Sequence, residues 1–121
     1  MTEKTKVGIA THKELRERAL EIARGRRRRR ANEPKIWFTS LDSLAKVLSE
    51  PNRKLLRLID EQHPSSLAEL EALTGRKASN LSRTLKTMSQ YGLVKLVPGR
   101  RGSVTPKVLV RTVQMELSLV G

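Results

Sequence analysis

The sequence predicts an α+β chain in which a short helix, a tight turn and a longer helix run directly into a β-hairpin. Three observations predict it. Apolar residues recur mostly at helical spacing as far as Met88, whereas the stretches from Leu93 onward are strand-like by residue type or by two-residue alternation. Thr11 with Glu14, Thr39 with Asp42 and Ser66 with Glu69 carry the spacing of a helix start, and Gly25, Gly75 and Gly92 stand where helices should stop. Between Ala72 and Met115 there are nine Lys or Arg and no Asp or Glu.

Residues 5–10 read as a short strand. Thr11 then opens a helix over 12–24, with Leu15, Ala19, Ile22 and Ala23 striping one face, Leu20 widening it and Gly25 ending it. Arg26, Arg27, Arg28, Arg29 and Arg30 follow as a run of like charges that favours an open conformation unless a polyanion neutralises it. Residues 25–34 are therefore expected as a linker. Pro34 disfavours helix at Glu33, and Lys35-Ile36-Trp37-Phe38 reads as extended, its rings suited to packing rather than to stacking on bases. Thr39 and Asp42 cap a helix at 40–49 (Leu41, Leu44, Ala45, Leu48). Pro51 sits in the first turn of the next, 50–62 (Leu55, Leu56, Leu58, Ile59), which His63-Pro64 ends.

Ser66 opens a brief helix with Leu67, Leu70 and Leu73 that Gly75 closes, and a helix at about 77–91 follows after only a turn. In that helix Ala78, Leu81, Leu85 and Met88 face a core, while Ser79, Asn80, Arg83, Lys86 and Thr87 fall on the opposite, polar face. Beyond Gly92, residues 93–97 and 104–110 read as strands joined by the basic loop Pro98-Gly99-Arg100-Arg101-Gly102, with Pro106 tolerable at an edge. Val113, Met115, Leu117 and Leu119 alternate with polar residues as a last strand. The expected organisation is a strand and helix over 1–24, a basic linker and extended piece over 25–39, the main domain over 40–112 and a C-terminal strand over 113–121.

Composition narrows the partners. Hydrophobic residues make up 37% and the only rings are Trp37, Phe38 and Tyr91, so the core must be aliphatic and a homodimer is expected to supplement it. The formal charge of +13 is polarised: +1 over residues 1–23, +6 over 24–40, −2 over 41–71 and +8 over 72–121. Positive charge confined to two blocks suits phosphates approached by particular surfaces, and nucleic acid outranks membrane. Without Cys, disulfides and the common structural zinc sites are excluded, and His12 and His63 read as a helix-start and a pre-proline residue, so no metal is expected. No apolar run reaches the roughly 18 residues of a membrane span, and no secretion signal is evident, so a cytoplasmic protein is expected. Phosphate-loop, nucleophile-elbow and zinc-protease motifs are missing, so neither an enzyme nor a cofactor is expected.

A short helix, a glycine turn and a longer helix with a basic outer face make a helix-turn-helix, and a basic hairpin after it makes the winged version. The start of the longer helix would enter a major groove, where Arg83 offers a fork to guanine, Asn80 a pair of bonds to adenine, and Ser79 and Thr87 fit either. Arg76, Lys77 and Lys86 would meet flanking phosphates, Arg100 and Arg101 the backbone or minor groove, and the five-arginine run would serve as an arm. The run reads equally as a solvated linker.

Pro51-Asn52-Arg53-Lys54-Leu55-Leu56, Leu67-x-x-Leu70 before Gly75, and Asn80-Leu81-Ser82-Arg83-Thr84-Leu85-Lys86 running into Tyr91-Gly92-Leu93-Val94 resemble the winged-helix transcriptional regulators of the MarR and ArsR type, over about residues 40–112. Ile22-Ala23-Arg24-Gly25, Pro34-Lys35-Ile36-Trp37-Phe38 and Gly75-Arg76-Lys77 are similar, more narrowly, to MarR-like antitoxins of toxin–antitoxin operons. The five-arginine run departs from that pattern. The resemblance implies a dimeric, sequence-specific repressor of duplex DNA that controls its own operon and neutralises a partner toxin. Two other readings fit the same residues: a winged helix that grips folded RNA, and a toxin-holding module whose DNA binding is secondary.

Overall fold

The computed structural model describes residues 4–26, 33–117 and 119–120. The chain is α+β, an architecture compatible with a winged helix, and it divides into two units, residues 1–45 with 112–121 and residues 46–111.

The first unit is a three-stranded parallel sheet. Strand β1 (Lys4–Ile9) leads through helix α1 (His12–Ala23) to β2 (Ile36–Phe38), and β5 (Thr112–Met115) returns to the other edge of β1, giving the order β2-β1-β5 within one chain. Thr11 caps α1 as its sequence requires: its hydroxyl accepts from the Glu14 amide at 3.1 Å, and the Glu14 carboxylate accepts from the Thr11 amide at 3.3 Å. Val7, Ile36 and Phe38 are buried.

The expected apolar stripe of α1 needs correction. Leu15, Arg18 and Ile22 are the half-buried positions, Ala19 and Ala23 are exposed and Leu20 is 47% exposed. Arg18 takes the inner slot because its long stem packs while its guanidinium pairs with the Glu33 carboxylate and lies over the Trp37 ring, 5.3 Å from the centroid. Trp37 in turn faces Gly8 across the β1–β2 ladder, and a Cβ built on Gly8 would stand 2.5 and 2.8 Å from ring carbons. Only glycine leaves room for the indole there.

The second unit stacks helices α3 (Glu50–Gln62), α4 (Leu67–Thr74) and α5 (Ala78–Gln90) with the antiparallel hairpin of β3 (Val94–Pro98) and β4 (Val104–Val108). Its buried residues are Leu55, Ile59, Leu70, Leu81, Leu85, Met88, Leu93 and Val94, with Pro64 and Pro106, the aliphatic core that the scarcity of rings demanded. Ser49 caps α3, with Pro51 in its first turn, and His63 ends it in the left-handed conformation. Helix α2 (Leu41–Val47) precedes α3.

Three expectations shift. The cap of α2 is Ser40 rather than Thr39: its hydroxyl accepts from the Ser43 amide at 3.0 Å and its carbonyl from the Leu44 amide at 3.2 Å. Strand β2 runs through Phe38, so Thr39 is consumed in leaving it. Ser66 caps α4 as expected, but the Glu69 carboxylate reaches back to the amide and hydroxyl of Ser65, at 3.1 and 2.7 Å, because the extended Ser66 backbone brings Ser65 over the first turn. The last strand stops at Met115 and excludes Leu117 and Leu119, since the ladder on β1 runs from Lys4 opposite Thr112 to Val7 opposite Met115.

Candidate nucleic-acid interface

The turn between α4 and α5 is built by three local devices. Gly75 adopts φ +76° and its amide bonds the Glu71 carbonyl at 2.8 Å, which ends α4 in the way that glycine allows and a Cβ would resist. The Thr74 hydroxyl donates to the Leu70 carbonyl and accepts from the Arg76 amide, at 2.8 and 3.1 Å. Lys77, the residue before α5, offers no side-chain cap; the Glu71 carboxylate takes the Ala78 amide instead at 3.0 Å. An acid therefore sits at the positive end of α5.

Along α5 the inward and outward faces separate as expected. Leu81, Leu85 and Met88 are buried, and Ser79, Asn80, Arg83 and Lys86 are exposed. Thr87 is half-buried and its hydroxyl donates to the Arg83 carbonyl at 3.1 Å, which leaves it less available than its position on the helix suggested.

Arg76 lies where a flanking-phosphate contact was expected, yet it is committed within the protein. Its Nε and Nη2 donate to Asn80 Oδ1 at 2.9 and 2.7 Å, Nη2 also to Thr84 Oγ1 at 3.2 Å, and Nη1 to Asn52 Oδ1 at 3.3 Å. Asn52 donates from Nδ2 to the carbonyls of Lys46 and Val47, at 3.2 and 3.1 Å, so its amide ties the end of α2 to α3 while the Arg76 guanidinium ties α3 to α5. Sequence reasoning missed Asn52, because nothing in its neighbourhood announces a partner in the turn before α5.

The hairpin carries the second group of charges. Lys95 and Lys107 lie directly opposite one another in the β3–β4 register and both are exposed, a pairing that repels unless an anion lies over it. At the tip Arg100 and Arg101 are exposed in a single 3-10 turn, with Arg101 at φ +56°. The Gly99 amide donates to the Ser103 carbonyl at 2.7 Å, and the Thr105 hydroxyl donates to the Ser65 carbonyl at 2.8 Å. Arg111 is spoken for: its guanidinium contacts both Asp60 oxygens, the shortest bond being 2.9 Å, and this holds the Asp60 carboxyl below the usual range while raising Arg111.

The nine basic residues of the acid-free stretch thus sort into two held internally and seven free. Among the described residues Lys77, Arg83, Lys86, Lys95, Arg100, Arg101 and Lys107 make no side-chain ion pair. Of the expected arm, Arg26 is exposed beyond the end of α1; Arg27, Arg28, Arg29 and Arg30 lie outside the described residues. Among the described residues no group of His, Asp or Glu could hold a metal ion, and no helix is long and apolar enough to cross a membrane.

The HVO_A0114 family model matches residues 47–115, more than half of the chain, and the chain belongs to that family. The match takes in α3, α4, α5, the hairpin and β5, and so includes the turn before α5, the α5 face and the basic hairpin, while Arg26 to Arg30 lie outside it. No curated protein and no solved structure matches the chain.

Proposed function

We propose that this member of the HVO_A0114 family is a sequence-specific, duplex-DNA-binding repressor of the winged helix-turn-helix type. The observation that carries this reading is the set of seven basic side chains on α5, its leading turn and the hairpin that make no ion pair among the described residues, with no acid in the sequence from Ala72 to Met115. Arg83 is exposed on α5 and free, so its planar fork is available to the O6 and N7 acceptors of guanine in a major groove. Lys77, Lys86, Lys95 and Lys107 serve as point charges toward phosphates, which fix register without reading sequence. Arg100 and Arg101 at the hairpin tip extend that contact along the backbone.

Self-association belongs to the same reading. In the first unit α1 buries no residue, and Val113, Met115 and Leu117, on and just beyond the edge strand β5, are 36%, 43% and 42% exposed. An apolar row on an edge strand suits burial by a second copy or, in the antitoxin role that the resemblance implies, by a partner toxin. Substituting Leu117→Asp should then raise the monomer fraction measured by light scattering, or release a co-expressed toxin from the complex.

The test of the main reading is Arg83→Ala. Competition among single-base variants of a selected duplex should show about 1–3 kcal/mol lost on the preferred site and a relaxed preference at one base pair. Unchanged affinity and unchanged preference would remove Arg83 from the reading role. A folded RNA that outcompetes every duplex at physiological salt would replace the DNA reading altogether.

A further inference from the structure

The bonding around Asn80 bears on which base it would read. A guanidinium has donors and no acceptor, so the Asn80 group facing Arg76 must be the carbonyl and the group left outward must be the NH2. Two Arg76 donors, Nε at 2.9 Å and Nη2 at 2.7 Å, converge on that one oxygen, which has two lone pairs to give. Arg76 itself is braced by Asn52 Oδ1 and Thr84 Oγ1, so releasing Asn80 would also loosen bonds to α3 and to the next turn of α5.

We infer that Arg76 is a positioning residue that presents Asn80 as a donor-only reader, and that Asn80 therefore selects guanine rather than the adenine its residue type suggests. The inference rests on the duplex-DNA reading above. An asparagine pairs with adenine by accepting from N6 and donating to N7; with its carbonyl occupied, the adenine N6 donor meets no acceptor. Guanine presents two adjacent acceptors, N7 and O6, which match the two protons of the outward NH2. Thymine offers O4 beside a methyl group and uses one of the two. Arg83 lies three residues further along α5, so both side chains ask for guanine and the preferred site is rich in that base.

The experiment is selection from a randomised duplex pool followed by sequencing, with the full chain and three variants. Asn80→Ala identifies the position that Asn80 reads, as the one whose preference collapses. At that position the unaltered chain should favour guanine over adenine by about tenfold or more, within the range of one bidentate base contact. Arg76→Met keeps the stem, removes the donors and frees the Asn80 carbonyl, and should move the preference to adenine. Because the readout is a ratio between bases, a general weakening through the lost charge does not imitate it. Should Arg76→Met fail to fold, Asn80→Asp decides: the carboxylate keeps the bonds from Arg76, strips the outward donors, and should abolish the guanine preference. Adenine preferred by the unaltered chain, an Arg76→Met profile identical to it, or guanine retained by Asn80→Asp would each overturn the inference while duplex binding stands. A pool from which no duplex is enriched would overturn the DNA reading, and this inference with it.

Discussion

Titrating salt against the affinity for one duplex separates charge from base reading, and the structure sets the expected magnitude. Seven basic side chains of the acid-free stretch between Ala72 and Met115 make no ion pair among the described residues, while Arg111 is held by Asp60 and Arg76 by Asn80, Asn52 and Thr84. Each phosphate neutralised contributes about 0.9 to the slope of log affinity against log salt, so the seven set a limit of about −6 per chain. At that slope affinity falls roughly four-thousandfold between about 50 and 200 mM salt. Replacing Lys95 and Lys107 together by Gln should flatten the slope by about 2 and leave the order of preference among duplexes unchanged. The substitution also relieves two like charges facing one another in the ladder, so a loss of binding would not come from a weakened hairpin. Removing Asp60 and Arg111 together, as Asp60→Asn with Arg111→Gln, keeps the net charge and should leave the slope where it was. Fluorescence anisotropy with a selected and a scrambled duplex reads all three proteins. An unchanged slope in the lysine double variant would mean that the hairpin lies away from phosphates. A slope flattened equally by the Asp60/Arg111 pair would mean that sorting charges into free and held is the wrong way to count them.

Other outcomes follow from the same structure. Gly8→Ala puts a methyl group within 2.8 Å of the Trp37 ring and should lower stability by about 1–3 kcal/mol, read as a shifted denaturation midpoint, unless the indole moves aside without loss. Asp60 and Glu69 both titrate below their ordinary range, Asp60 through its bonds from Arg111 and Glu69 through those from Ser65. A depressed folded value means stabilisation that is present above the unfolded pKa of about 4 and is lost as pH falls through the folded one. Glu69 is exposed and Asp60 only half-buried, so the effect is modest and weaker at high salt. The unaltered chain should lose more stability between pH 5 and pH 2 than Asp60→Asn with Glu69→Gln, and equal losses would show that neither bond matters. Replacing Arg26 to Arg30 by Ser should weaken all duplexes alike and flatten the salt slope, with base preference intact. A change confined to one duplex would instead make the run a reader.

Elements whose ends are fixed by local chemistry were legible. The reciprocal Thr11–Glu14 cap, Pro51 in the first turn of α3, and the positive φ at Gly25, Gly75 and Gly92 all depend on residues within a few positions of one another. The faces of α5 were legible for the same reason, since burial of Leu81, Leu85 and Met88 needs only the helical period and one apolar side to pack on. Helix α1 defeated that logic. Arg18 occupies an inner position there only because Glu33 and Trp37, 15 and 19 positions further on, come back to meet it, and periodicity treats any arginine as facing outward. Gly8 was unreadable likewise: a glycine inside a strand pattern marks a close approach, but what approaches is decided by the parallel register with β2.

The interface shows the same limit at the level of single atoms. That residues 76–87 are polar and basic is written in the sequence; that Arg76 spends four of its five N–H donors inside the protein is not. Its contact with Asn52 spans 24 positions, and Asn52 is free to make it only because its own amide is turned to the last carbonyls of α2. A residue-type argument assigns Arg to phosphate and Asn to adenine because those are the bonds each makes when alone. Placed four residues apart across a helix start, the two satisfy each other first, and what either can offer a base is whatever remains. For Asn80 the remainder is a pair of donors. On the proposed duplex reading, what Asn80 contributes to base preference is a property of the Asn52–Arg76–Asn80 group, and exchanging Asn80 alone tests that group less well than exchanging the arginine that holds it.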